Sequence, residues 1–198
     1  MNGLIKIYFN HLHQYFLQFV PISREAFEKL KPYFEVRELD KKTVLVKPGD
    51  VDDYFNIVAK GLVRKYMVIN KKEITIQLAT EGHMIHSEIS FNTRVPSDCF
   101  IDTIEPTVLI SMSYDNLQKV YAAFPEFEKL GRLVITDMFI RKDIRDMTQL
   151  KNTTRERFIT YMKKHPDMLQ RVPQKYLASY LNIKPETFSR LKHLLKNR

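Results

Sequence analysis

Near the carboxyl end of the chain lies the stretch Val172-Pro-Gln-Lys-Tyr-Leu-Ala-Ser-Tyr-Leu-Asn-Ile-Lys-Pro-Glu-Thr-Phe-Ser-Arg190-Leu-Lys. It predicts two short helices joined by a sharp turn. Apolar side chains share one face of the first helix at Leu177, Ala178 and Leu181. Asn182 tolerates the left-handed backbone that ends a helix, and Pro185 suits the first position of the next helix. The pattern is typical of a helix-turn-helix.

The second helix of this pair separates apolar from polar residues. Its apolar stripe is Phe188, Leu191 and Leu195. Its outward-facing residues are Lys184, Glu186, Thr187, Ser189, Arg190 and His193. Because a paired helix of this kind is used mainly to enter the groove of a duplex, we predict that the outward-facing residues bind DNA.

The positive charge of the chain is concentrated in the same segment. Residues 141–198 carry 15 Lys and Arg against 5 Asp and Glu, whereas residues 1–140 carry 17 against 18. A nearly neutral body with a basic end is typical of a separate module that meets a polyanion. Double-stranded DNA is therefore the partner that both features indicate.

Composition excludes several classes of protein. The 198 residues are 44% hydrophobic and 12% aromatic, which supports a packed core rather than disorder. The sequence has no apolar run of the roughly eighteen residues that a membrane span needs, so we expect no membrane association. The single cysteine, Cys99, cannot form an internal disulfide, and we expect a cytoplasmic protein.

Short segments typical of strands, separated by turn residues, occupy the middle of the chain. The predicted strands are 34–39, 43–47, 54–59, 62–69, 73–79, 100–103 and 107–113. Strands at this spacing predict a closed antiparallel β-barrel or jelly roll. Flanking helices are expected over 4–20, from Pro21 with Ser23 as the N-cap, and over 114–124.

A long helix is predicted from about Pro125 to Gln149, and its middle is apolar on more than one side. The apolar residues are Leu130, Leu133, Val134, Ile135, Met138, Phe139 and Ile140. A helix packed on one core shows one stripe, so the wider band favours a homodimer in which the helix also meets its copy. Burial within a single chain is the alternative. Two-fold pairing would place two recognition helices about 34 Å apart, the spacing of successive major-groove faces.

The expected α+β chain has three parts. Residues 1–124 form the β-roll domain with its flanking helices, residues 125–150 the dimerisation helix, and residues 151–198 the helix-turn-helix domain. The polar joint at 151–154 is a candidate pivot between the last two parts. The sequence ends soon after the second helix of the pair, so no β-hairpin wing is expected to follow it.

This order of elements resembles the cyclic-AMP receptor protein/fumarate-nitrate regulator (Crp/Fnr) family of transcription factors. The resemblance rests on Lys47-Pro-Gly-Asp50 and residues 54–64 in the barrel, and on residues 171–181 and 185–190 in the helix-turn-helix. It implies a cyclic-nucleotide-binding-like barrel, a homodimer that regulates transcription on DNA, and RNA polymerase as a further partner.

The resemblance assigns base-reading roles to Glu186 and Arg190, which lie four residues apart on one helix face. An arginine can donate two hydrogen bonds to guanine, and a carboxylate can accept one from cytosine. A plain surface ion pair between them is the alternative. Lys184 and Thr187 are expected to contact phosphates. Pro185 replaces a further base-reading arginine of the family's best-known members, so the preferred DNA sequence should differ.

The resemblance also implies a ligand site in the barrel, at Ser87, Glu88, Arg94 and Ser97. In members that bind cyclic nucleotides, a glutamate takes the ribose hydroxyl and an arginine pairs with the phosphate, because a buried phosphate requires a cation. Glu88 and Ser97 match, but Pro96 replaces the phosphate-binding arginine. We therefore expect no cyclic nucleotide bound in the usual mode, and either another small effector or none.

A β-barrel metal protein or enzyme, whose helical tail does not read DNA, is the alternative function. His83-x-x-His86 beside Glu88 motivates it. An iron–sulfur cluster requires about four cysteines, and the chain has one. No Ser/His/Asp or Cys/His constellation and no phosphate loop of the Gly-Lys-Ser kind is visible. We therefore predict no catalytic residues and no metal ligands.

Overall fold

Two antiparallel sheets form the centre of the structure, a computed structural model that describes residues 3–193. The strands are β1 (Phe34–Leu39), β2 (Val44–Val46), β3 (Tyr54–Lys60), β4 (Val63–Ile69), β5 (Lys72–Ala79), β6 (Met84–Ile85), β7 (Phe100–Thr103) and β8 (Thr107–Ser113). Their order is β1-β8-β3-β6 in one sheet and β2-β7-β4-β5 in the other. This confirms the predicted fold class. Strand β6 was missed because two residues show no alternation.

Helices flank and interrupt the sheets. They are α1 (Gly3–Leu17), α2 (Arg24–Leu30), α3 (Glu88–Thr93), α4 (Tyr114–Ala123), α5 (Glu126–Lys151), α6 (Thr154–Lys164), α7 (Met168–Arg171), α8 (Gln174–Tyr180) and α9 (Pro185–Lys192), with a 3-10 turn at Lys31–Tyr33. The predicted cap of α2 is present, since the Ser23 hydroxyl accepts a hydrogen bond from the Ala26 amide at 3.1 Å. Helix α7 was not predicted, because four residues are too few to show a period.

Three buried clusters hold these elements together. One lies between the sheets, around Val58, Ile85 and Leu109. A larger one packs α1, α2, α4 and α5 on the outer side of the first sheet, and it includes Phe27, which is fully buried. Burial of a phenylalanine contributes about 1.5–3 kcal/mol to stability. The third cluster joins the barrel to the C-terminal helices.

The C-terminal helices share their core with the barrel. Phe158, Leu177 and Phe188 from α6, α8 and α9 belong to the same buried cluster as Leu62 and Leu78 from the barrel. The rings of Phe158 and Phe188 meet edge to face at 5.2 Å. The helix-turn-helix is therefore packed onto the barrel. Leu195, which the sequence placed in the stripe of α9, lies outside the described residues.

Helix α5 is buried on one side and exposed on another. Phe127, Leu130 and Val134 are buried against the body of the chain. A second set, here called the apolar strip, is exposed and spreads over about half of the helix circumference: Ile135, Phe139, Ile140, Ile144, Met147 and Leu150. The predicted apolar band on more than one side is thus present. Among residues 3–193, no helix is both long enough and apolar enough to cross a membrane.

Candidate functional site

The turn between α8 and α9 is fixed by backbone geometry. Asn182 has a φ of 52°, in the left-handed region that asparagine tolerates. The amide of Ile183 donates to the Ala178 carbonyl at 2.8 Å, which closes the end of α8. Pro185 then occupies the first turn of α9, where its missing N–H breaks no hydrogen bond. The expected helix-turn-helix geometry is present.

Helix α9 presents its polar face outward. Lys184, Glu186, Ser189, Arg190 and His193 are exposed, and Thr187 is half-buried. The guanidinium of Arg190 donates to the Thr187 hydroxyl at 3.3 Å. Among residues 3–193, no ion pair joins Glu186 to Arg190, so both side chains keep their capacity to meet another molecule.

Arg157 ties the turn to the joint before α6, a contact that the sequence did not reveal. Its guanidinium donates to the carbonyls of Leu181 and Asn182, each at 3.0 Å, and to the carbonyl of Asn152 at 2.8 Å. A cation at these carbonyls stabilises the end of α8. Thr153 forms a capping box at the start of α6. Arg157 therefore anchors the joint to the turn in this arrangement of the chain.

Helix α8 docks along strand β5 of the barrel. The Ser179 hydroxyl accepts a hydrogen bond from the Thr75 amide at 2.9 Å and donates one to the Glu73 carbonyl at 3.3 Å. Strand β5 lies at the edge of its sheet. Backbone groups at a sheet edge need partners, and α8 supplies them.

Arg64 of β4 lies at the centre of this contact, with a side chain that is 2% exposed. It donates to Asp102 at 2.8 and 3.1 Å and to Glu73 at 2.6 Å. Its guanidinium carbon is 3.6 Å from the ring centre of Tyr66 and 3.7 Å from that of Tyr176 in α8. An arginine can stack and hydrogen-bond at the same time, so this side chain joins the sheet to the helix-turn-helix.

Arg171, at the end of α7, makes a second bridge. It donates to Glu105 at 2.6 Å, to Glu81 at 2.9 Å and to Asp167 at 3.0 Å, and it also meets the Gly61 carbonyl at 3.0 Å. Glu81 and Glu105 lie in turns of the barrel. The chain just before the helix-turn-helix is thus held to two turns of the barrel by one guanidinium.

Acid should weaken this bridge. The hydrogen bond from Arg171 is the main cause that lowers the pKa of Asp167 from its ordinary 3.8. Burial alone would raise the pKa of Glu81, but hydrogen bonds, chiefly from Arg171, lower it from 4.5. Since both folded-state pKa values lie below the unfolded ones, the stabilisation is complete above the ordinary values and is lost as pH falls through the lowered ones.

We therefore expect Arg171→Gln to lower the melting temperature near pH 7, and expect the difference from the parent to shrink below about pH 4. Thermal unfolding of both proteins across this pH range measures the effect. A difference that stays constant down to about pH 3 would show that the carboxylates contribute nothing through Arg171.

Arg145 connects α5 to both the barrel and α8. Its guanidinium donates to the Ile76 carbonyl in β5 and, at 3.4 Å, to the Tyr180 carbonyl at the end of α8. It also lies 4.3 Å from the ring centre of Tyr180. Gln149 donates to the same Tyr180 carbonyl at 3.3 Å. The three parts of the chain therefore meet at this point.

A cavity of about 770 Å³ lies between the barrel and α5. Its barrel end, here called the barrel chamber, is lined by Phe55, Lys65, His86, Glu88 and Phe91. Lys65 is buried, and its ammonium donates to the Glu88 carboxylate and to the His86 carbonyl. Burial alone would raise the pKa of Glu88, but the charge and hydrogen bond of Lys65 lower it.

The His86 ring lies among aromatic rings inside the barrel chamber. Its centre is 5.5 Å from that of Phe55 and 5.3 Å from that of Phe91. Its Nδ1 is buried and has no hydrogen-bond partner among residues 3–193. Burial lowers the pKa of His86 to about 4, so the ring is neutral near pH 7.

The predicted ligand-binding residues separate into two groups. The Ser97 hydroxyl donates to the Ser87 hydroxyl at 3.0 Å, and Glu88 follows Ser87 at the start of α3. Arg94 instead donates to the Asp53 carboxylate and stacks on Tyr114, with its guanidinium carbon 4.4 Å from the ring centre. The structure therefore brings Ser87, Glu88 and Ser97 together and leaves Arg94 engaged elsewhere.

Lys65 was not among the predicted ligand-binding residues, and Pro96 stands at the position of the family's phosphate-binding arginine. Pro96 is exposed and offers no donor to an anion. Lys65 lies in Val63-Arg-Lys-Tyr66, where four consecutive residues of β4 are buried. A lysine inside such a run is the signal that could have identified it, because buried lysines require a partner.

The two histidines of the alternative metal hypothesis have different surroundings. Nδ1 of His83 lies 3.0 Å from the hydroxyl and 3.2 Å from the carbonyl of Thr80, whereas the His86 ring packs against Phe55 and Phe91. Across residues 3–193, no three His, Cys, Asp or Glu side chains are grouped closely enough to hold a metal ion. The described geometry gives the metal hypothesis no ligand set.

Comparison with known proteins identifies the domain and the fold. Residues 36–124 match the model of the cyclic nucleotide-binding domain. The c-di-GMP responsive global regulator CLP of Xanthomonas campestris superposes with a TM-score of 0.67 at 14% identity, covering 88% of this chain and 92% of that one. FixK2 of Bradyrhizobium japonicum gives 0.64 at 18% identity, covering 83% and 85%. A CooA mutant of Carboxydothermus hydrogenoformans gives 0.63 at 21% identity, covering 88% and 81%.

These matches extend from the barrel into the C-terminal helices, so the chain shares its fold with these proteins over most of its length. A search of curated proteins by sequence found no match. Residues 36–124 are therefore similar to a cyclic nucleotide-binding domain, and the chain has a fold like that of CLP, CooA and FixK2.

Proposed function

We propose that this chain is a homodimeric, DNA-binding transcription regulator of the Crp/Fnr type. One observation carries the proposal: α9 exposes a polar face on a helix-turn-helix whose turn is fixed by Asn182 and Arg157. This face belongs to the segment that holds the chain's excess of positive charge. A basic, exposed recognition helix meets the electrostatic and steric needs of major-groove binding.

The outward side chains of α9 divide into two proposed roles. Arg190 and Glu186 read bases, since a guanidinium matches guanine and a carboxylate can accept from cytosine. Lys184 and Thr187 bind phosphates, which positions the helix without selecting sequence. Ser189 and His193 are exposed beside them and complete the proposed contact surface.

The apolar strip of α5 supports the homodimer. Phe139 is 69% exposed and Leu150 84% exposed, although side chains of this kind are usually covered in soluble proteins. A second copy of α5, packed about a two-fold axis, would cover both strips at once. The same axis would set the two α9 helices on successive faces of one duplex.

The proposal includes a small effector in the barrel, or none, and excludes enzymatic activity. The cyclic nucleotide-binding domain supports an effector site, but Pro96 and the engagement of Arg94 with Asp53 remove the usual partner of a cyclic phosphate. We further propose a cytoplasmic location and contact with RNA polymerase. Elemental analysis tests the metal alternative, which requires stoichiometric metal in the purified protein.

An effector signal would have to pass through the contacts that α7 and α8 make with the barrel. A movement of the helix-turn-helix relative to the barrel breaks the hydrogen bonds of Arg171 with Glu81 and Glu105, and those of Ser179 with β5. An effector can therefore act only if its affinity differs between arrangements with these contacts made and broken.

Selection from a random duplex library tests the proposal, and a near-palindromic site is the expected product. The affinity for that site should fall steeply between low and moderate salt, since phosphate neutralisation releases counterions. Affinity that is insensitive to salt would instead indicate that the helix-turn-helix acts through protein partners.

Arg190→Ala should cost about 1–3 kcal/mol of binding free energy for the selected site and relax the preference at one base pair in each half-site. Lys184→Ala is the matched control, because loss of a phosphate contact should weaken all sequences alike and reduce the salt slope by about one. Binding curves on single-base variants of the site separate the two effects. An unchanged preference in the Arg190 variant would contradict the base-reading role.

A further inference from the structure

The charges inside the barrel chamber balance each other. The side chain of Lys65 is 7% exposed and its ammonium faces the carboxylate of Glu88. The charged groups that shift the pKa of His86 are Glu88 and Lys65, and those that shift the pKa of Glu88 are Lys65 and His86. Since the His86 ring is neutral near pH 7, the chamber has one positive and one negative charge in contact.

The arginines around the barrel chamber are committed to other partners. Arg94 binds Asp53 and stacks on Tyr114. Arg64, next to Lys65 in the chain, pairs with Asp102 and Glu73. Arg145 lines the cavity from α5, but backbone carbonyls of β5 and α8 hold its guanidinium. Arg141 and Lys142 also line the cavity from α5, and they pair with Asp137 and Asp146. Among residues 3–193, each Lys and Arg that lines the cavity is therefore already neutralised or bound.

The walls of the barrel chamber are suited to an apolar guest. The rings of Phe55 and Phe91 pack against His86 and against each other, and Met84 and Ile89 continue the apolar lining. The whole cavity, of which the chamber is the barrel end, has a volume within the range of about 300–1,000 Å³ that is typical of small-molecule sites.

We propose that the barrel chamber binds an uncharged, largely apolar small molecule. The Lys65–Glu88 pair excludes cyclic nucleotides and other anions from it. This inference rests on the proposed function only in that the guest would be the effector of the regulator. Binding itself does not require that the protein reads DNA.

The exclusion of anions follows from desolvation. A buried anion needs a cation in contact, and the nearest one is Lys65. To reach it, the anion must displace Glu88 and leave that carboxylate without a partner in a partly buried site. An uncharged guest leaves the pair intact. The balanced charges of Lys65 and Glu88 therefore favour an uncharged ligand.

Displacement of a reporter dye tests this selectivity. N-phenyl-1-naphthylamine is uncharged and fluoresces in apolar sites; 1-naphthalenemethanol and 1-naphthoate share one ring system and differ in charge. We expect the dye to bind one site per chain, and the alcohol to displace it at about tenfold lower concentration than naphthoate or better. Cyclic AMP should not displace it.

Two variants locate the effect in the barrel chamber. Glu88→Gln leaves Lys65 without a counter-charge, so naphthoate should become the better competitor. Lys65→Met combined with Glu88→Gln is uncharged again, and the preference for the alcohol should return. The proposal would be overturned if the alcohol still displaced the dye better than naphthoate in the Glu88→Gln variant. It would also be overturned if the parent protein preferred naphthoate. The relative potency of these two compounds is here called the competitor order. Absence of dye binding, the result expected if a second copy of α5 fills the cavity, would overturn the proposal as well.

These outcomes are independent of DNA binding. Failure of the proposed function would appear as loss of duplex recognition with the competitor order intact. Failure of this inference would appear in the competitor order alone.

Discussion

Glutamate at both Phe139 and Ile144 is expected to convert the dimer into monomers and to lower the affinity for a two-half-site duplex by about 100-fold or more. Phe139 is 69% and Ile144 61% exposed in the apolar strip. Burying each such side chain contributes about 1.5–3 kcal/mol, and each occurs twice in a two-fold dimer. Two linked DNA-binding domains gain about 10²–10⁴-fold over one, and the monomer loses this gain.

Light scattering measures the oligomeric state and gel-shift titration measures the affinity. Leu4→Glu is the matched control, because Leu4 is 58% exposed in α1 and lies outside the strip. The control should remain dimeric and bind as the parent does. A double variant that stays dimeric at micromolar concentration would show that α5 does not form the interface.

Arg64→Met should lower the free energy of unfolding by about 3–5 kcal/mol, because removing one partner leaves buried charge uncompensated. The carboxylates of Asp102 and Glu73 would lose their guanidinium, and the rings of Tyr66 and Tyr176 would lose the group between them. Since Tyr176 belongs to α8, the contact between barrel and helix-turn-helix should loosen as well. Urea unfolding measures the loss.

Two further variants separate charge from packing. Adding Asp102→Leu to Arg64→Met should recover much of the stability, since a buried pair can be replaced by apolar side chains at little cost. Arg24→Met is the surface control, because Arg24 is 44% exposed in an i,i+4 pair with Glu28 and exposed pairs contribute little to stability. If Arg64→Met cost no more than the surface control, the central role of Arg64 would be wrong.

The helix-turn-helix could be predicted because its determinants are local. Asn182 ends α8 by its backbone conformation, and Pro185 starts α9 by its fixed φ, each without help from distant residues. The apolar band of α5 is likewise a property of one continuous segment. Alternation and turn residues were sufficient to predict seven of the strands.

The contacts that fix the helix-turn-helix on the barrel could not be predicted, since their partners are far apart in sequence. Arg64 meets Asp102 across 38 residues, and Arg171 meets Glu105 across 66 and Gly61 across 110. A charged residue in a strand or turn has many possible partners, and only the fold selects among them. The same reason explains why the pairing of Lys65 with Glu88 was missed.

The residues that the resemblance assigns to the ligand site differ in the direction of their side chains. The structure brings Ser87, Glu88 and Ser97 into one region, because they lie at the start of α3 and in the loop that follows it. The resemblance grouped Arg94 with them, although the left-handed backbone of Arg94, with a φ of 61°, ends α3 and the side chain reaches Asp53. Sequence proximity to a site did not determine the direction of this side chain.

Selection of duplexes from a random library by the purified protein, followed by light scattering of the complex, tests whether the chain reads DNA as a homodimer. We expect two chains on one near-palindromic site whose half-sites are about one helical turn apart. A protein that remains monomeric and retains no duplex, even in dilute buffer, would contradict the account.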